Sequence, residues 1–324
     1  MNTKEALLFV LEEQRGMYVS GEELAKRLGV SRTAVWKAVN SLREDGFDIM
    51  SAGSRGYRLS AESDLLSSAA VQQALKTRVF DVRVVPETGS TNVDVKALAE
   101  RGAPEFTVVA SELQTKGKGR LGRSFYSPQR TGIYFSVLLR PKLPVTDALF
   151  ITTSAAVATA SAIEEVCGRQ AGIKWVNDIY WQDRKVCGIL TEASLDLENG
   201  SLDYAVLGIG INVSPPEGGF PEELKTIAGC LYPEGGCPAG TRSRLLASLL
   251  DKFYELYIHL PEKRFLDEYR RRSILKGLNV NVIQGDRTYP ASVVGIDDQC
   301  HLLVSRDGQL IALDSGEVSV RPIK

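Results

Sequence analysis

The chain has 324 residues, enough for two or three domains and a sizeable core. Its 39 lysines and arginines against 40 aspartates and glutamates leave a net charge of −1, so any nucleic-acid site must be local rather than a global field. Five cysteines, an odd count with no Cys-x-x-Cys pair, and only two histidines point to reduced thiols, with neither structural disulfides nor a zinc site.

In chain order, the amino terminus opens directly into an amphipathic segment over residues 4–14 with no signal peptide. No apolar run approaches the roughly 20 residues that span a bilayer, so a cytoplasmic protein without a membrane partner is expected. Ser20 caps a helix that Gly29 ends, with Glu23 at the capping-box position, and Ser31 caps the next helix over residues 32–42. Two short helices joined by Leu-Gly-Val-Ser after a first helix make a helix-turn-helix signature. Residues 46–59 read as two short strands around Ala-Gly-Ser-Arg-Gly, a wing. Charge over residues 1–60 is roughly balanced, yet the cations gather on the third helix and the wing, as groove binding needs. Ser31, Arg32, Thr33, Lys37 and Arg55 are the candidate DNA contacts, since the amino end of a recognition helix touches base edges. A small protein-interaction domain is the alternative.

After a polar linker at residues 60–64, strands and helices alternate to about residue 270. Strands are expected at 82–85, 107–111, 132–139, 172–175, 179–181, 185–192 and 204–211, and helices at 92–101, 147–166, 242–259 and 262–272. Neighbours joined by Gln-Asp-Arg and Glu-Asn-Gly-Ser pair antiparallel, which favours a mixed α+β sheet over a doubly wound one. The last fifty residues hold short strands separated by Gly-Asp, Asp-Asp and Asp-Gly turns and read as a small β-barrel. The expected domains are 1–63, 64–272 and 273–324.

The stretch Gln114-Thr-Lys-Gly-Lys-Gly-Arg-Leu-Gly-Arg123 follows the apolar strand at 107–111 and interleaves three glycines with four cations. Glycine lets backbone amides converge on an anion, and fixed cations beside them suit a phosphate or carboxylate. The spacing is neither a Walker loop nor a dinucleotide fingerprint, and on composition alone a solvated basic loop is the simpler reading.

Gly-Lys-Gly-Arg-Leu-Gly-Arg resembles the GRGRxGR loop of biotin protein ligases, specifically the bifunctional kind that also represses transcription. Ser90-Thr91-Asn92, Lys174-Trp-Val-Asn-Asp178, Asp183-Arg-Lys-Val-Cys-Gly-Ile-Leu190 and Gly208-Ile-Gly-Ile-Asn212 match in the same order. Lys118 stands where the family usually has arginine, losing the bidentate fork, and Val176 where it usually has proline. The resemblance implies a winged helix-turn-helix, a central ligase domain and a carboxyl-terminal SH3-like β-barrel. It implies formation of biotinyl-5′-AMP from biotin and ATP with Mg2+, then transfer to a lysine of a biotin carboxyl carrier protein. It also implies biotin-responsive binding of operator DNA by a homodimer.

Residue by residue, the resemblance gives Arg120, Lys185 and Asp178 catalytic roles. Asp178 has two roles open to it, indirect magnesium binding or acceptance of the incoming lysine's proton. Ser90, Thr91, Asn92, Gln114, Gly117, Lys118, Arg120, Lys185 and Gly188 would bind biotin, and Trp175 would wall the pocket. Arg120, Arg123, Asn177, Gly208, Asn212 and Arg321 would border the nucleotide, and no protein metal cage is expected. Ser90 is also placed to cap the helix that follows it. Two other readings fit the same architecture: a ligand-sensing repressor that does no chemistry, and a lipoate-type protein ligase.

Overall fold

A computed structural model describes residues 2–196, 201–314 and 318–322. The amino-terminal unit comprises α1 (Thr3–Glu13), α2 (Gly21–Leu28), α3 (Arg32–Glu44) and the wing strands β1 (Ile49–Ser51) and β2 (Tyr57–Leu59). Local chemistry sets its boundaries. Asn2 closes a reciprocal capping box with Glu5, Ser20 accepts from the Glu23 amide at 3.1 Å, and Ser31 accepts from the Ala34 amide at 3.1 Å. Ser20 makes only that half of the expected box. Gly29, at φ 65°, ends α2 in the left-handed conformation and turns the chain into α3.

Next come α4 (Ser68–Ala74), β3 (Asp81–Val85), α5 (Thr91–Glu100), β4 (Thr107–Ser111), β5 (Gly132–Leu139) and α6 (Leu149–Cys167). Then follow β6 (Gly172–Lys174), β7 (Asp178–Trp181), β8 (Arg184–Asp196), β9 (Ser201–Asn212), α7 (Thr241–Tyr257) and α8 (Leu266–Arg272). Among the described residues the central sheet has seven strands in the order β3-β4-β5-β9-β8-β7-β6. Only β3 and β4 pair parallel, through the crossover helix α5, so the sheet is mixed. Side chains alternate across it. Val108, Val137 and Leu207 join the main core under α6 and α7, while Val109, Leu138 and Val206 meet α5 on the opposite face.

α6 is the helix expected at 147–166; the helical stretch Val145–Cys167 that contains it is long and apolar enough to cross a membrane, against the expectation of no bilayer-length apolar run, and it lies largely buried in the core. Its alanines permit close approach, and the Thr153, Ser154 and Thr159 hydroxyls donate to carbonyls one turn back, so burying them leaves no donor unpaired.

The chain ends in β10 (Asn279–Gln284), β11 (Arg287–Ile296), β12 (Leu302–Arg306), β13 (Gln309–Leu313) and β14 (Val318–Pro322). These form an antiparallel sheet in the order β13-β12-β11-β10-β14. α4 and β14 were not expected from the sequence.

The linker is not free chain. Arg15 Nη1 donates to the Ser63 carbonyl at 2.7 Å, and Gln73 Nε2 on α4 donates to the Phe9 carbonyl on α1 at 2.7 Å. Arg242, only 2 % exposed, donates through Nη1 to Glu112 Oε2 at 2.7 Å and through Nε to Asp64 Oδ2 at 2.9 Å. Its Nη2 also reaches the Asp64 carbonyl, and the Leu66 amide donates to Glu112 Oε1 at 2.6 Å. Burial opposes the Arg242 charge, but Glu112 and Asp64 outweigh it and raise the guanidinium above its ordinary value. A buried cation with every partner supplied ties the linker, the end of β4 and the start of α7 into one piece.

Candidate functional site: an anion pocket at the end of the central sheet

The pocket lies on the α5 face of the sheet, beyond the amino end of that helix. There the inward positions change from large to small: Leu138 gives way to Ser136 on β5, and Val206 to Gly208 and Gly210 on β9. Gly188 on β8 stands opposite Gly210. A Cβ on Gly208 would come within 1.9 Å of Asn92 Oδ1, and one on Gly210 within 2.5 Å of the Phe125 ring, so side chains there would fill the site.

Above this floor, Ser90, Thr91 and Asn92 occupy the amino end of α5, the positive end of its dipole. The Thr91 amide and hydroxyl donate to Gln114 Oε1 at 2.9 and 3.1 Å, and Gln114 Nε2 donates to Ser127 Oγ at 3.0 Å. Ser136 Oγ lies 2.7 Å from Thr91 Oγ1 and donates to Asn92 Oδ1 at 2.6 Å, while Asn92 Nδ2 donates to Glu192 Oε2 at 2.7 Å. Ser90 is buried and makes no side-chain cap, contrary to the capping expectation, so its hydroxyl is left to the pocket it lines.

The walls carry the charge. Lys118, Arg120, Arg123, Lys174 and Lys185 line the cavity, against a single lining carboxylate, Asp178, among the described residues. Arg120 Nη1 donates to Asn177 Oδ1 at 3.1 Å, and Asn177 Nδ2 donates to the Ile189 carbonyl at 2.7 Å. Burial pushes the Arg120 guanidinium below its ordinary value, with Asp178 working against the shift. Lys185 Nζ pairs with Asp178 Oδ1 at 2.5 Å, and Lys118 Nζ sits 3.7 Å from Glu192. Leu121, at φ 55°, holds a left-handed conformation at the loop's tip, the kind of local strain that persists where surroundings impose it.

Two long-range bonds hold the 175–178 loop. The buried Trp175 Nε1 donates to the Cys300 carbonyl, in the turn between β11 and β12, at 2.9 Å, and the buried Tyr269 hydroxyl donates to the Val176 carbonyl at 3.0 Å. These bonds fix a loop that lacks proline at position 176. A cavity with this excess of cations over carboxylates, polar groups from Ser90 to Asn92 and apolar surface from Phe125 and Trp175 suits an anionic ligand with an apolar part.

Family comparisons agree along the whole chain. The HTH domain family matches residues 3–58, the biotin/lipoate A/B protein ligase family residues 84–212, and the biotin protein ligase C-terminal domain residues 277–321. The bifunctional ligase/repressor BirA of Bacillus subtilis is 32 % identical over 98 % of both chains. That of Escherichia coli is 28 % identical over 94 % of both. The biotin protein ligase of Aquifex aeolicus in complex with biotin and ATP superposes with a TM-score of 0.64 at 29 % identity, covering 75 % of this chain and 99 % of that one. The chain belongs to the biotin protein ligase family, in its bifunctional ligase and repressor branch.

The fold brings together most of the residues singled out for this family member. Ser90, Thr91, Asn92, Gln114, Lys118, Arg120, Arg123, Asn177, Asp178, Lys185, Gly188 and Gly208 all line one cavity. Gly117 stands behind the lining, its carbonyl accepting from the Phe125 amide at 2.9 Å. Asn212 also falls outside the lining, because its Nδ2 donates to the Gly229 carbonyl at 3.0 Å and secures the following loop. Arg321 lies opposite Asn281 on β14, and its side chain is outside the described residues. Ser136, Ser127, Phe125 and Glu192 were missed. Each is unremarkable in its own strand or loop, and only the pairing of β5, β8 and β9 reveals it.

In the winged unit, Ser31 is committed to capping α3, while Arg32, Thr33 and Lys37 project exposed from its first two turns. Arg55 on the wing lies 4.6 Å over the Tyr18 ring, which steadies the cation without neutralising it.

Proposed function

We infer that this chain is an ATP-dependent biotin protein ligase and a biotin-responsive transcriptional repressor. The observation that carries the ligase reading is the pocket's cation excess in one cavity with the polar side chains of Ser90, Thr91, Asn92 and Gln114. In the first step a biotin carboxylate oxygen attacks the α-phosphorus of ATP; that P–O bond forms as the bond to pyrophosphate breaks. Lys185 and Arg120 stabilise the negative charge that builds on the phosphoryl oxygens, acting as fixed charges in a site that excludes water. In the second step the amine of an acceptor lysine attacks the acyl carbon. A C–N bond forms, AMP leaves with the C–O electron pair, and the amine loses a proton.

Asp178 is the carboxylate placed either to take that proton or to approach a cation carried by the nucleotide. Among the described residues no group of three metal-binding side chains assembles, so Mg2+ would arrive with the ATP phosphates and Asp178 would be its protein partner. The resident ion would neutralise phosphate charge. Arg123, Asn177 and Gly208 border the nucleotide, with Asn212 and Arg321 assigned to it by resemblance.

The acceptor is the biotin-carrying domain of a carboxylase, and the repressor acts as a homodimer in the cytoplasm. One winged unit of near-neutral charge grips DNA weakly; two on a symmetric dimer read two half-sites and gain from effective concentration. Purified protein incubated with ATP, radiolabelled biotin or lipoate, and an acceptor domain tests the ligase reading. Label from biotin on the acceptor lysine supports it. Label from lipoate alone would make it a lipoate-type ligase, and adenylate-free binding of biotin would leave a sensor without chemistry.

A further inference from the structure

We propose that Trp36 is the residue with which α3 reads an apolar base edge, the 5-methyl group of thymine, in the major groove. The inference rests on the DNA-binding reading and names what that site recognises.

Trp36 is 55 % exposed, among the largest apolar side chains left in water on this molecule. Its place on α3 makes that exposure informative. The inner face of the helix is complete without it, since Val35, Ala38, Val39 and Leu42 are buried in the winged unit's core. The outer face of the first turns is formed by Arg32, Thr33, Trp36, Lys37 and Asn40. Trp36 lies four positions after Arg32, three after Thr33 and four before Asn40, so it shares one stripe with them and stands near its centre. From Arg32 to Arg43 the helix carries no carboxylate. A second protein seated here would bring its own acidic groups to a face of cations and one indole. A DNA groove supplies phosphates at the rim and base edges at the centre, which matches this arrangement better.

The chemistry of the centre then selects the base feature. An indole presents a flat apolar surface and one N–H donor, no acceptor. In the major groove the apolar feature of a base pair is the thymine methyl, which other apolar side chains are known to contact. Arg32 and Lys37, flanking the indole, provide donors for phosphates or guanine. The wing is set relative to this face by Arg43, which donates to the Ile49 carbonyl at 2.9 Å and to Ser51 Oγ at 2.6 Å.

The test starts from duplexes enriched out of a random-sequence pool by the full-length protein with biotin and ATP present. On the enriched duplex, Trp36→Ala should weaken binding roughly tenfold and Trp36→Phe less. Ligase activity should be unchanged in both. Replacing thymines by uracil one at a time should cost the wild type a similar factor at one position per half-site and cost Trp36→Ala nothing there. The slope of log affinity against log salt should stay as in the wild type, because the indole neutralises no phosphate, whereas Arg55→Ala should flatten it. Wild-type affinity in Trp36→Ala, or equal uracil penalties in both proteins at every position, would overturn the proposal. Failure of the full chain to enrich any duplex would remove the DNA-binding reading itself.

Discussion

The winged unit and the ligase pocket are held in opposite ways. The winged unit is one contiguous stretch whose helices start and stop at their own caps, Asn2, Ser20 and Ser31, with Gly29 turning one helix into the next. The pocket draws on the 90–92, 114–125, 174–178, 185–190 and 208–210 segments, which meet only because β5, β9 and β8 pair. Its supports lie farther still: Tyr269 holds Val176, Cys300 holds Trp175, and Arg242 joins Glu112 to Asp64. A locally coded unit presents a rigid surface to a large partner. A site made by convergence can enclose a small one. Damage should differ accordingly, staying local in the first and spreading in the second.

The strongest way to break that contrast is Arg242→Met. It leaves the buried Glu112 and the half-buried Asp64 without their cation, and removing one partner of a buried ion pair costs about 3–5 kcal/mol. Thermal unfolding should show a large loss, with ligase and DNA binding failing together. A variant as stable as the wild type would mean the tie is dispensable.

Next in size is Lys185→Ala, which removes one charge aimed at the reacting phosphoryl group. Adenylate formation should fall roughly 10²–10³-fold, equivalent to about 2.7–4 kcal/mol, with the melting temperature nearly unchanged. Loss of stability in parallel would recast Lys185 as a mainly structural partner of Asp178.

Ser31→Ala samples the local side. Deleting an N-cap costs about 1 kcal/mol, here confined to the start of α3. DNA affinity should drop while ligase activity stays at the wild-type level, and equal damage to both activities would show the winged unit to be less autonomous than its caps suggest.

The smallest effect concerns acid stability. Hydrogen bonding to Arg271, three residues on, and then Arg272 lowers the Glu268 carboxyl from 4.5 to about 2, while Arg272 also pairs with Glu164 on α6 at 2.5 Å. A depressed folded-state value means the stabilisation is present above the unfolded value and is lost as pH falls through the folded one. Glu268→Gln should therefore flatten the melting temperature profile between pH 4.5 and about 2 and leave its shape near neutrality alone. An identical acid slope in both proteins would show this pair to be screened away.

Caps, helical periodicity and strand alternation made the winged unit and most central strands legible in the sequence, because those signals act over a few residues. α4 escaped because its short run Ser-Ala-Ala-Val-Gln-Gln-Ala has only a weak apolar stripe and owes its place to contacts with α1 and Asp251-bearing α7. β14 escaped because, among the described residues, it pairs with β10, some forty positions earlier in the chain. In the site, glycines and cations alone left a solvated basic loop as the simpler reading, and the ordered set of motifs identified the family. Ser136, Glu192 and the Arg242 cluster gave no local signal, since their partners lie roughly 40 to 180 positions away. Asn212 was grouped with the nucleotide by its motif, while its side chain is spent on Gly229.

Both regions serve one purpose only if chemistry in the pocket governs the grip of the winged units. The direct measurement is a titration of the enriched duplex at fixed salt, using wild type and Lys185→Ala, each with biotin plus ATP, with biotin alone and with neither. The account predicts that wild-type affinity rises sharply with biotin plus ATP, less with biotin alone, and that Lys185→Ala stays near its unliganded value throughout. An unchanged wild-type affinity on adding both ligands, or a full response from Lys185→Ala, would contradict it.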